Sequence, residues 1–140
     1  MERIGGVMYQ KVRSGQVYTR QKALNEMIDV AERLLTASGR PLLAGARSLN
    51  YLAKQAGVRD KPPFSDDFLM VLESDCQDLP VFDDFRVRCS DAHLSEREPI
   101  MKDIADRVQA TVRQKCIEIL SLYHKKDLVE LESELIDELH

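Results

Sequence analysis

Apolar positions recur three and four residues apart along most of the chain, a spacing that predicts helices rather than strands. Between Arg20 and Ser38 the series Ala23, Leu24, Met27, Ile28, Ala31, Leu34 and Leu35 shares one helical face. Gly39 is expected to end that helix. Pro41, suited to a first helical position, then opens a second helix that turns Leu42, Ala46, Leu49, Leu52, Ala53 and Ala56 inward. Gly57 is placed to take the left-handed conformation just beyond its end. The two elements read as a helical hairpin, with Gly45 and Ala46 on the inner face where small side chains let the partner helix come close.

After a linker from Arg59 to Pro63, Ser65 is the expected cap of a short helix with Phe68, Leu69, Val71 and Leu72 on its apolar side. Leu79 to Phe85 is expected to be irregular, because Pro80, Asp83 and Asp84 interrupt it while Val81, Phe82 and Phe85 pin it to the core. The longest apolar stripe spans Ser95 to Tyr123, and Pro99 places the regular part of that helix from Pro99 onward. Asp127 then caps a last amphipathic helix with Leu128, Leu131, Leu135 and Leu139 along one side. Residues 1–19 read either as a small hairpin about Ser14 and Gly15 or as an arm. The expected fold is all-α: residues 1–140 as one domain, a bundle of four to five helices with a loop-rich acidic centre from Pro62 to Asp91.

A chain of 140 residues, 44% hydrophobic, is the size of one ordinary domain and needs neither metal nor disulfide to close a core. No stretch is long and apolar enough for a membrane span, and the first residues lack the apolar region of a signal peptide, so a cytoplasmic protein is expected. Cys76, Cys89 and Cys116 are an odd number at wide spacing and read as free thiols.

Charge is sorted into blocks that the net value of −4 conceals. Residues 1–61 hold 11 bases and 5 acids, residues 62–84 hold 7 acids and no base, residues 85–126 hold 9 bases and 6 acids, and residues 127–140 hold 6 acids and no base. Nucleic acid is therefore an unfavoured partner for the chain as a whole. Arg47, Asn50, Tyr51 and Lys54 share a face of the second helix, which reads as an outer surface paired with the acidic centre.

Metal chemistry finds little support in this pattern. Cys76, Cys89 and His93, with Cys116 or His124 as a distant fourth, lack the closely paired spacing of structural zinc sites, so no metal and no cofactor is expected. Ser90, Asp91 and His93 contain the residue types of a hydrolytic triad, but adjacency in sequence reads as a turn before the long helix, and no catalytic residue is assigned. The acids that remain form two candidate partner-binding sets: Glu73, Asp75, Asp78, Asp83 and Asp84 in the centre, and Glu130, Glu134 and Asp137 on the tail.

Gly45-Ala46-Arg47 with Leu49, Asn50 and Leu52, then Phe68, Ser74-Asp75 and Leu79-Pro80, then Ser90 and Ala92-His93-Leu94 resemble a family of small bacterial cytosolic helical proteins over residues 24–120. The resemblance implies a toxin-immunity setting and transfers no catalytic residue. The function expected is a non-catalytic protein-binding module, an immunity-type inhibitor that presents an acidic surface to a basic toxin domain. The alternatives are a small hydrolase or metal-dependent enzyme working from the Glu73–His93 segment, and a homodimer closed by the leucine side of the tail.

Overall fold

In a computed structural model, which describes residues 2–139 in backbone and the side chains of residues 15–134 and 136, the chain is all-α. Its elements are α1 (Glu2–Leu34), α2 (Gly39–Ala56), α3 (Phe68–Asp75), α4 (Asp83–Arg86), α5 (Asp91–Leu122) and α6 (Leu128–Leu139). Helices α1, α2 and α5 pack on one another, α3 lies against α2, and α6 lies against α1. The core follows the apolar stripes: Met27, Ala31 and Leu34 of α1, Leu42, Leu49 and Ala53 of α2, and Met101, Ala105, Val112 and Ile119 of α5 are all buried.

Gly45 is where α1 and α2 come closest. A Cβ added there would meet the buried Leu34 side chain, with Leu34 Cγ only 2.9 Å away. Gly57 ends α2 at φ 76°, and its N–H reaches back to the carbonyls of Ala53 and Lys54. This is the left-handed stop that a glycine makes inexpensive.

Five expectations about the elements need correction, the first being the irregular Leu79 to Phe85 segment, of which Asp83 to Phe85 belong to α4. The hairpin expected as one reading of residues 1–19 does not form, because α1 begins at Glu2. Once a helix is nucleated each further residue adds a hydrogen bond, and Gly5, Gly6 and Gly15 cost too little to stop it. The helix before Gly39 ends at Leu34, and Gly39 itself opens α2 at φ 60°. Ser65 does not cap α3: the Asp66 carboxylate accepts the Phe68 N–H at 3.1 Å, and Asp67 precedes the helix at φ 61°. An Asp can close this local turn through its own side chain and tolerates the left-handed region. Helix α5 starts at Asp91 rather than Pro99, since Ser90 Oγ accepts the His93 N–H at 3.2 Å and nucleates the turn eight residues earlier than Pro99 announces.

Helix α6 docks on its own chain. Asp127 Oδ1 accepts the N–H groups of Val129 and Glu130, Leu131 is buried, Lys125 pairs with Asp29, and Asn25 exchanges hydrogen bonds with the Lys126 backbone. Part of the leucine side that a homodimer would use is thus spent on α1. The side chains of Leu135, Asp137 and Leu139 lie outside the described residues.

Candidate functional site: an acidic face around the fourth helix

The acidic centre is a folded crossing from α3 to α5, held from beneath and open above. Leu79, Pro80 and Val81 are buried and fix the chain between α3 and α4. Arg40 reaches up from α2, donating to the Val81 carbonyl at 2.9 Å and pairing with Asp83 at 3.1 Å. From the other side, Arg86 donates to the Pro80 carbonyl at 3.3 Å and pairs with Glu98 of α5 at 3.1 Å. The short helix α4 is therefore tied to α2 through Arg40 and to α5 through its own Arg86.

That scaffold separates the predicted acids into two groups. Glu73 is half-buried and accepts a hydrogen bond from Asn50 of α2, and Asp83 is engaged by Arg40, so both have roles inside the fold. Asp75, Asp78 and Asp84 are exposed and form no ion pair among the described residues. On the tail, Glu130 and Glu134 are exposed and line a cleft of about 270 Å³ with Lys125 and Lys126. Two cations in that cleft reduce its value as an acidic surface, and Asp137 lies outside the described side chains.

Arg47 links the two halves of the central face. Its guanidinium lies over the Phe82 ring, 4.9 Å from the centroid, and it sits close enough to Cys76 to act on that thiol, which also feels the Asp75 charge. The end of α3 and the start of α4 thus meet at one side chain. Arg47 forms no ion pair among the described residues, and its buried Nε has no hydrogen-bond partner. The outer surface expected for Arg47, Asn50, Tyr51 and Lys54 is consequently divided. Tyr51 and Lys54 are exposed, whereas α3 covers Asn50 and Phe82 covers part of Arg47.

The sequence places Val81, Phe82 and Phe85 in the core; Val81 is buried as expected, but Phe82 and Phe85 are 37% and 39% exposed, and the neighbouring Val87 is 82% exposed. No signal in the sequence separates them from Val81, because an irregular segment has no period from which an inward side can be read.

Several of the groups weighed for a reaction have structural roles. Among the described residues, no three His, Cys, Asp or Glu side chains gather closely enough to hold a metal ion. Ser90 spends its hydroxyl on the α5 cap, and Cys89 Sγ lies 3.3 Å from the Phe85 carbonyl. Burial pushes the Cys116 thiol up to about 12 and raises Cys76 as well, which keeps both in the weakly nucleophilic thiol form. Among the described residues, no helix is long and apolar enough to cross a membrane.

Fold and face together define an all-α protein that exposes unpaired carboxylates and apolar side chains on a braced crossing. The chain matches no protein family, no curated protein and no solved structure.

Proposed function

We propose that this chain is a non-catalytic binding protein that offers the Asp75, Asp78 and Asp84 carboxylates to a basic partner protein. The observation that carries the reading is the inequality among the acids. Glu73 accepts from Asn50 and Asp83 pairs with Arg40, whereas Asp75, Asp78 and Asp84 are exposed and form no ion pair among the described residues. Clustered unpaired charge costs stability through self-repulsion, and a partner of opposite sign relieves that cost while speeding encounter. On the resemblance noted from the sequence, the partner proposed is a toxin domain and the chain its immunity-type inhibitor. Nuclease domains suit this role, because a cleft built for a polyanion is cationic and an acidic surface blocks it.

The test compares the parent with the Asp75→Asn, Asp78→Asn, Asp84→Asn variant against a cationic nuclease-type toxin domain by isothermal titration. Asp83 is left intact because its loss would also release Arg40. At low salt the variant should bind about tenfold more weakly, the sum of three modest surface charges, and the gap should close at high salt. Equal affinity of the two proteins at low salt contradicts the proposal.

A further inference from the structure

Helix α1 has 33 residues and the helix it pairs with, α2, has 18. They run antiparallel, with Leu34 against Gly45 near one end and Arg20 against Gly57 at the other. Helix α2 therefore stops where α1 reaches Arg20, and residues 2–19, about 27 Å of helix, run on past it. Helix α5 ends at Leu122, after which the chain meets Asp29 at Lys125 and Asn25 at Lys126. It enters α6 heading toward this overhang, and α6 lies against α1.

The second helix of that pair is apolar on more than one side. Leu131 is buried, yet Val129 and Ile136 are 78% and 47% exposed. Val129, Ser133 and Ile136 are four and three residues apart, so they form one exposed seam on another side of the helix from Leu131. Val17, on the overhang, is exposed as well. Two helices lying side by side cannot enclose a core, and a seam of this spacing is completed by a further helix.

Charge selects that helix. Helix α6 holds five acids and no base, and Glu130, Glu132 and Glu134 form no ion pair among the described residues. A second α6 on the seam would set acid against acid. Residues 2–22 hold five bases, Arg3, Lys11, Arg13, Arg20 and Lys22, against the single acid Glu2. Each chain thus carries both an acidic helix with an open seam and a basic helix that outruns its neighbours. We infer that the α1 overhang and α6 close with those of a second copy of the chain into a four-helix bundle about a two-fold axis. Acidic and basic helices alternate around it, each α6 lying between the α1 of its own chain and the α1 of its partner, and the same patch is used twice. The acidic crossing is tied to Arg40 at the start of α2, the opposite end of the hairpin from the overhang, so the dimer and the acidic-face reading stand or fall separately.

Sedimentation equilibrium of the full chain tests the dimer. At about 50 mM salt and about 0.1 mM protein the chain should weigh twice its monomer mass, and at about 0.5 M salt the dimer should weaken at least threefold as the facing charges are screened. Val129→Ser with Ile136→Ser changes two exposed positions of the seam and should weaken it about tenfold or more, with the helical circular dichroism kept. The charge reversals Glu130→Lys, Glu132→Lys, Glu134→Lys on α6 and Arg3→Glu, Lys11→Glu, Arg13→Glu on α1 should each give a monomer. An equal mixture of these two variants should recover a dimer. Mixing does not repair a chain that has failed to fold, so recovery reports the pairing itself. A parent that stays monomeric, association that runs past the dimer, a serine variant that dimerises as tightly as the parent, or a mixture that stays monomeric would each overturn the inference.

Discussion

Lys115 carries a full charge into the interior of the bundle, where its side chain is 10% exposed. It donates to the Pro63 carbonyl at 2.9 Å and pairs with Asp66, whose own side chain remains 57% exposed. The pair is therefore unequal: removing the acid strands a buried ammonium, whereas removing the base leaves a carboxylate that water can solvate. Asp66→Ala should cost about 1–3 kcal/mol and Lys115→Met less than half of that, measured as urea midpoints at neutral pH. The hydrogen bond from Lys115 holds the Asp66 carboxyl below its ordinary 3.8, helped by the Phe68 N–H. A depressed folded pKa contributes stability that is present above the unfolded value and lost as the pH falls through the folded one. Parent protein should accordingly lose more stability than Lys115→Met between about pH 5 and about pH 2. Equal acid slopes in the two proteins would show that the pair adds nothing to folding.

At the scale of the elements, the contact between α1 and α2 is set by one missing side chain. An alanine at Gly45 gains about 1 kcal/mol of helix propensity but drives its methyl into Leu34, which is buried and closely packed. Overpacking of this kind costs typically 1–3 kcal/mol, so Gly45→Ala should be destabilising by about 1 kcal/mol or more in thermal unfolding. A stabilised variant would mean that the helices can separate without loss. Gly45 was legible in the sequence because a small residue on an apolar stripe has a single geometric use. The amphipathic stripes of α2, of α5 and of the Ala23–Leu34 half of α1 were legible for the same reason: burial on one side leaves a period. The ends were less so. Pro99 is a strong local signal that the Ser90 cap overrides, and Asp66 supplies a turn that Ser65 equally well announces. The glycines of the first fifteen residues suggest a turn where the backbone continues as helix.

Across the whole molecule, the alternation of charge along the sequence is partly internal pairing. Arg40 with Asp83, Arg59 with Asp67, Lys115 with Asp66 and Lys125 with Asp29 each join a base to an acid distant in sequence or on another element. The acidic centre was legible as a candidate surface from composition alone. Which of its acids stay unpaired was not, because Asn50 with Glu73 and Arg47 with Phe82 are meetings between segments that leave no trace in local pattern. The tail acids, equally prominent in sequence, share their cleft with Lys125 and Lys126.

The central claim is that the functional face is the crossing between α3 and α5. It is tested most directly by mapping, amide by amide, where a cationic nuclease-type toxin domain docks on the full chain. Shift changes and exchange protection should concentrate at residues 73–87, Asp75, Asp78 and Asp84 among them. A footprint on the outer side of α5 or along α6, with residues 73–87 unperturbed, would contradict it.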